Sequence, residues 1–132
     1  MLQRINLFVF LFLSLFCVRL SVQASTPTVV SQQDLEVLVN ELHYESIDDR
    51  RLNSVQQYVH FWQDQSRKIS MEQAQSILSE FSLDGKKMEA LLSVRSILNV
   101  DFNKRKLITR SFSFIDGRRK AWKLLFDNEL KN

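Results

Sequence analysis

Phe81-Ser82-Leu83-Asp84-Gly85-Lys86-Lys87-Met88-Glu89-Ala90-Leu91-Leu92 is the stretch whose reading decides the fold. An aromatic residue, a short link, an aspartate, a glycine and two cations lead into an apolar pattern of helical period. The phrase returns as Phe112-Ser113-Phe114-Ile115-Asp116-Gly117-Arg118-Arg119, followed by Ala121, Leu124 and Leu125. A fainter copy lies upstream, Tyr44-Glu45-Ser46-Ile47-Asp48-Asp49-Arg50-Arg51-Leu52. Asp48, Asp84 and Asp116 stand 36 and 32 residues apart, close to the length of one helix–turn–helix unit. In each copy the aromatic (Tyr44, Phe81, Phe112) is expected to close one helix and fold over the hairpin core. The aspartate (Asp48, Asp84, Asp116) is expected to cap the next helix.

Working outward, the apolar residues recur at three- and four-residue intervals, which places them on one face of each helix. Leu35, Leu38, Val39 and Leu42 mark the first helix, with Ser31 or Asp34 as its cap. Leu52, Val55, Val59 and Trp62 mark the second. Gln63–Lys68 is polar and reads as a connector. Ser70 and Gln73 have capping-box spacing ahead of a third helix with Met71, Ala74, Ile77, Leu78 and Phe81 inward. The fourth begins at Asp84 and turns Met88, Leu91, Leu92 and Leu98 inward. A fifth, about Phe102–Phe112, has an apolar face diluted by Lys104-Arg105-Lys106. The sixth begins near Asp116 and uses Ala121, Leu124, Leu125 and Trp122. No stretch alternates with a period of two. The expected fold is all-α, a compact bundle of about six short helices arranged as three helix–turn–helix repeats, near residues 34–65, 70–98 and 101–130.

The N-terminus has a separate character. Arg4 is followed by the apolar run Leu7–Val18, broken only by Ser14, and Val22-Gln23-Ala24 offers small residues for cleavage. This is the pattern of a secretory signal peptide over residues 1–24. A membrane span needs about 20 apolar residues, and Arg19 interrupts the run before that. Removal of the signal takes Cys17, the only cysteine, so the remaining 108 residues would fold without an internal disulfide. Residues 25–33, with the only proline, read as a flexible leader, and residues 34–132 as one helical domain. The expected location is secreted or extracellular.

Charge is distributed unevenly. Residues 25–100 carry 7 basic and 11 acidic side chains, net −4, whereas residues 101–132 carry 9 and 4, net +5. Lys104, Arg105, Lys106, Arg110, Arg118, Arg119, Lys120 and Lys123 are the candidate anion- or partner-binding residues. The cation pairs Arg50-Arg51, Lys86-Lys87 and Arg118-Arg119 fall in the first turn of their helices. The helix dipole opposes cations there by a few tenths of a kcal/mol, up to about 1. The two histidines, His43 and His60, are 17 residues apart with no metal-binding spacing. Two glycines cannot build a phosphate-cradling loop, and no nucleophile motif is present. Neither a catalytic residue, a metal nor a cofactor is expected.

The tandem phrases at Phe81–Leu92 and Phe112–Ala121 resemble the helical family DUF4476, over about Asp34–Phe126. That family looks like secreted or extracytoplasmic proteins with repeated F-S-F-D-x-K/R segments ahead of a Leu-rich helix. This sequence departs from the pattern by an added Ile before Asp48 and Asp116, and by Tyr44 in place of Phe. The resemblance implies a helical domain without an assigned activity, and it supplies no catalytic residues. The sequence therefore points to a secreted, non-enzymatic interaction module that meets a protein or extracellular polyanion through its basic C-terminal third. The alternative is a carrier of an apolar ligand within the bundle. Nucleic acid is not an expected partner.

Overall fold

The structure, a computed structural model, describes residues 26–127; the expected signal peptide and residues 128–132 lie outside them. Among the described residues six α-helices follow in order: α1 Gln32–Tyr44, α2 Asp48–Asp64, α3 Met71–Leu78, α4 Asp84–Val94, α5 Arg105–Thr109 and α6 Ile115–Phe126. The class is all-α, with three consecutive helix–turn–helix units, α1–α2, α3–α4 and α5–α6.

The helical periodicity sets the core. Leu35, Leu38 and Leu42 of α1 are buried, as are Leu52, Val55, Val59 and Trp62 of α2. From α3 come Met71, Ala74, Ile77 and Leu78, with Phe81 just beyond its end, and from α4 come Ala90, Leu91 and Val94. Ile108, Phe112, Ala121 and Phe126 complete the same cluster. Trp62, Phe81, Phe112 and Phe126 are its largest side chains, none more than 2% exposed. Burying side chains of this size stabilises the fold by about 1.5–3 kcal/mol each. α2 and α4 form the most extensive helix pair and bring the first two units together.

The structure corrects several boundaries. Leu92 is 53% exposed rather than inward, because at about 3.6 residues per turn it points away from the stripe of Ala90, Leu91 and Val94 that faces the core. The fifth helix is shorter than expected. A 3-10 turn, Phe102–Lys104, precedes α5, and the chain leaves the helix at Thr109. Among α5's own residues only Ile108 is fully buried, so little apolar packing holds more turns together. The last helix begins at Ile115, one residue before Asp116.

The expected flexible leader is also corrected. Thr28–Val29 forms strand β1, which pairs in parallel with β2, Arg67–Lys68, from the expected polar connector. Val30 is buried, its amide donates to the Lys68 carbonyl at 2.8 Å, and its own carbonyl accepts from Gln73 Nε2 at 2.7 Å. Ile69 bridges in turn to Leu98. Two-residue strands carry no readable alternation, so periodicity could not reveal them. The bundle thus has two dissimilar ends. Strands β1 and β2, with the bridge from Ile69 to Leu98, tie one end together, the strand end. The turns before α2, α4 and α6 form the other, the loop end.

Candidate functional site

At the loop end three helix starts and their preceding turns converge. Lys86 Nζ lies 2.7 Å from Asp49 Oδ1 and joins the start of α4 to that of α2. Asp84 joins α4 to the turn before α6: its carboxylate accepts from the amides of Ser113 at 2.9 Å and Phe114 at 2.8 Å. Lys87 Nζ donates to the Ser111 carbonyl at 2.7 Å. Desolvation pushes the Asp84 pKa up, but the two amides, Lys87 and Arg118 outweigh it and hold the carboxyl below the ordinary value.

None of the three aspartates caps its own helix. The N-cap positions are Ile47, Leu83 and Phe114, all extended and without a side-chain cap bond. Asp48 and Asp84 are the first residues of their helices, and Asp116 is the second. Asp48 instead pairs with Arg51 Nη1 at 2.9 Å. Only Asp84 reaches across to a neighbouring turn. The reason the third copy differs is Ile115, which enters the helix and displaces Asp116 by one position. Aligned by helix start, Ile115 occupies the place of Asp84.

The aromatics divide as well. Phe81 and Phe112 fold into the core as expected, at 2% and 0% exposure. Tyr44 does not: it is 86% exposed. It is the last residue of α1, and the added residue in its turn leads the chain directly to α2. Its ring lies edge to face with that of His43, 5.6 Å between centroids.

The cation pairs have a structural account. One member of each pair sits at the fourth position of its helix: Arg51, Lys87 and Arg118. Arg51 Nε donates to the Leu42 carbonyl at 2.9 Å, and Arg118 Nε to the Phe112 carbonyl at 3.0 Å. Lys87 makes its bond to Ser111. Each cation therefore serves a carbonyl at or just past the C-terminus of an adjacent helix, where positive charge is favoured. That gain offsets the unfavourable position in its own helix.

The eight candidate cations of the C-terminal third split in the same way. Lys104 pairs with Glu72 at 2.7 Å, which raises the lysine pKa and lowers that of the glutamate. The Arg105 guanidinium lies over the Phe102 ring, 4.4 Å from its centroid, with Trp122 beside it. Arg118 is held by Phe112. The other five, Lys106, Arg110, Arg119, Lys120 and Lys123, are exposed, and their side chains make no hydrogen bond or ion pair with the described residues. Arg119 and Lys123 are four apart on α6 and share an outward stripe with Ile115, flanked by Lys120.

The sequence matches the family described as a domain of unknown function, DUF4476, over residues 29–125. The chain belongs to that family. No curated protein and no solved structure matches it. For this DUF4476 chain the site must be read from its own side chains.

A surface cleft of about 430 Å³ lies between the starts of α4 and α6, lined by Asp84, Gly85 and Met88 on one side and by Phe114, Asp116, Gly117 and Lys120 on the other. Its walls differ. A Cβ on Gly117 would lie 2.9 Å from Asp84 Oδ2 and 3.0 Å from Phe112 Cδ1, whereas one on Gly85 would meet nothing within 4 Å. Gly117 is what lets α6 come close enough for Asp84 to reach the turn. The histidines are exposed, each near one carboxylate: His43 lies 3.4 Å from Glu80, and His60 3.8 Å from Asp64. No group of metal-ligating side chains gathers among the described residues. Among them, no helix is long and apolar enough to cross a membrane.

Sequence reasoning passed over the exposed apolar residues of this end. Ile47 is 44% exposed, Leu83 64%, Phe114 72% and Ile115 69%. The signal was present: an apolar residue precedes each aspartate where Ser, Thr, Asp or Asn would cap the helix.

Proposed function

We propose that this protein is a secreted, non-enzymatic binding module for a partner bearing anionic groups, protein or polyanion, and that α5 and α6 supply the surface. One observation carries the reading: Lys106, Arg110, Arg119, Lys120 and Lys123 remain exposed and unpaired while neighbouring cations are engaged within the fold. A solvated basic face of this kind raises the local concentration of anions and hastens their encounter. An apolar ligand held inside the bundle draws no support from a core filled by Trp62, Phe81, Phe112 and Phe126.

Retention on a heparin column at low salt tests the reading. The protein should bind and elute as salt rises, because counterion screening weakens such contacts. Arg119→Glu with Lys123→Glu should abolish retention without changing the fold. Arg118 is a poor choice for this test, since its bond to Phe112 makes it structural. Failure of the unmodified protein to bind removes the proposal.

A further inference from the structure

The loop end carries a second pattern that cations alone do not explain. At the opposite end α1 and α3 are capped conventionally, and α5, whose own N-cap Lys104 makes no cap bond, follows a 3-10 turn that is capped. Ser31 accepts from the Asp34 amide, Ser70 and Gln73 form a capping box, and Asp101 accepts from the Asn103 amide at the 3-10 turn before α5. Every α-helix that starts at the loop end has instead an exposed apolar residue at its N-cap: Ile47, Leu83 or Phe114. Ile115 adds another at the first position of α6. Tyr44 lies on the same end, as Arg51's bond to Leu42 and His43's contact with Glu80 place it.

The charges at this end are sorted. Asp48 is matched by Arg51, Asp49 by Lys86, Asp84 by two amides, Glu45 by the Ile47 amide and Glu80 by His43, which leaves Asp116 as the carboxylate without a partner among the described residues at this end. Arg50, Arg119 and Lys120 are unpaired among the described residues. Lys120 shares the cleft with Phe114. At a rise of about 1.5 Å per residue, Arg119 stands roughly 6 Å and Lys123 roughly 12 Å along α6 from Ile115. The arrangement is therefore apolar tips on separate turns with unpaired cations behind them.

We infer that the loop end docks on an anionic lipid surface. Leu83, Phe114 and Ile115 reach the boundary between headgroups and acyl chains, and Arg119, Lys120 and Lys123 pair with anionic headgroups. Apolar burial and attraction to anionic lipid add together in such interfacial binding. A soluble polyanion would engage the cations but would have no use for the tips. A fluid interface closes around apolar side chains spread over separate turns, whereas a protein hot spot needs a packed pocket. The inference rests on the anionic-partner reading and names that partner.

Co-sedimentation with vesicles tests it. Vesicles of equal parts phosphatidylcholine and phosphatidylglycerol should bind the protein, and vesicles of phosphatidylcholine alone should not. Phe114→Ser with Ile115→Ser should reduce binding to the anionic vesicles by about tenfold or more, in line with the apolar area withdrawn. Retention on heparin should be unchanged. Leu83→Ser, at an independent turn, should weaken vesicle binding in the same direction, and circular dichroism should show both variants folded. Equal vesicle binding by the tip variants overturns the inference. So does heparin retention without vesicle binding, which leaves the proposed function standing. Loss of binding to both overturns both readings. A stable dimer that dissociates on Phe114→Ser would also overturn it, since a second copy would then cover the tips.

Discussion

The two ends of this bundle are built from the same kind of helix start and treated oppositely. At the strand end Ser31 and Ser70 with Gln73 satisfy the first free amides of α1 and α3, and Asp101 does so for the 3-10 turn that leads into α5. At the loop end Ile47, Leu83 and Phe114 satisfy none with their side chains and stand in solvent. Replacing a good cap by an apolar residue costs about 1 kcal/mol, so the loop end forgoes several kcal/mol that the same chain gains at its other end. It is held together by other means: buried phenylalanines beneath the turns, cations on helix-terminal carbonyls, and Asp84 on the amides of its neighbour. A region stabilised from below and left apolar above has the character of a contact surface.

The largest expected effect tests what holds the loop end from below. Phe112→Ala should lower stability by about 3–5 kcal/mol in urea denaturation, because a fully buried aromatic leaves a cavity. Tyr44→Ala, at the corresponding position of the first copy, should stay within about 0.5 kcal/mol of the parent. A large loss at Tyr44 would show that the first turn is anchored like the third.

A smaller pair separates the two Asp-Gly phrases. Gly117→Ala should destabilise by about 1–3 kcal/mol, because the added methyl meets Asp84 and the fully buried Phe112. Gly85→Ala should stabilise by about 0.4–1 kcal/mol, since it restricts the unfolded chain at a site with open space. Equal changes at both glycines would mean that Asp84 does not depend on the close approach of α6.

Much of this was legible in the sequence. The three- and four-residue spacing of Leu52, Val55, Val59 and Trp62 places α2 correctly, because helix period and burial are the same signal read twice. Ser70 with Gln73 announces a cap that the structure contains. The cap assigned to Asp84 was misleading for a physical reason. A carboxylate one residue inside a helix looks like a cap in the sequence, and only the fold shows that it serves Ser113 and Phe114, about 30 residues away. The Asp116 register failed because an added residue can enlarge either a loop or a helix. Strands β1 and β2 were hidden by their length, and the sorting of Lys104 and Arg105 from Lys106 and Lys123 depends on which neighbours packing supplies. The unexpected Ile47, Leu83 and Phe114 were visible all along as apolar residues in capping positions.

The most direct test of the contrast between the ends exchanges their caps and reads the midpoint of urea denaturation. Ser70→Ala should lower stability by about 1 kcal/mol, whereas Leu83→Ser and Phe114→Ser should each raise it by a few tenths to about 1 kcal/mol. Opposite signs are the result this account predicts. If the serine substitutions at the loop end destabilise the protein as Ser70→Ala does, then Leu83 and Phe114 support the fold, and the loop end is not a surface left open for contact.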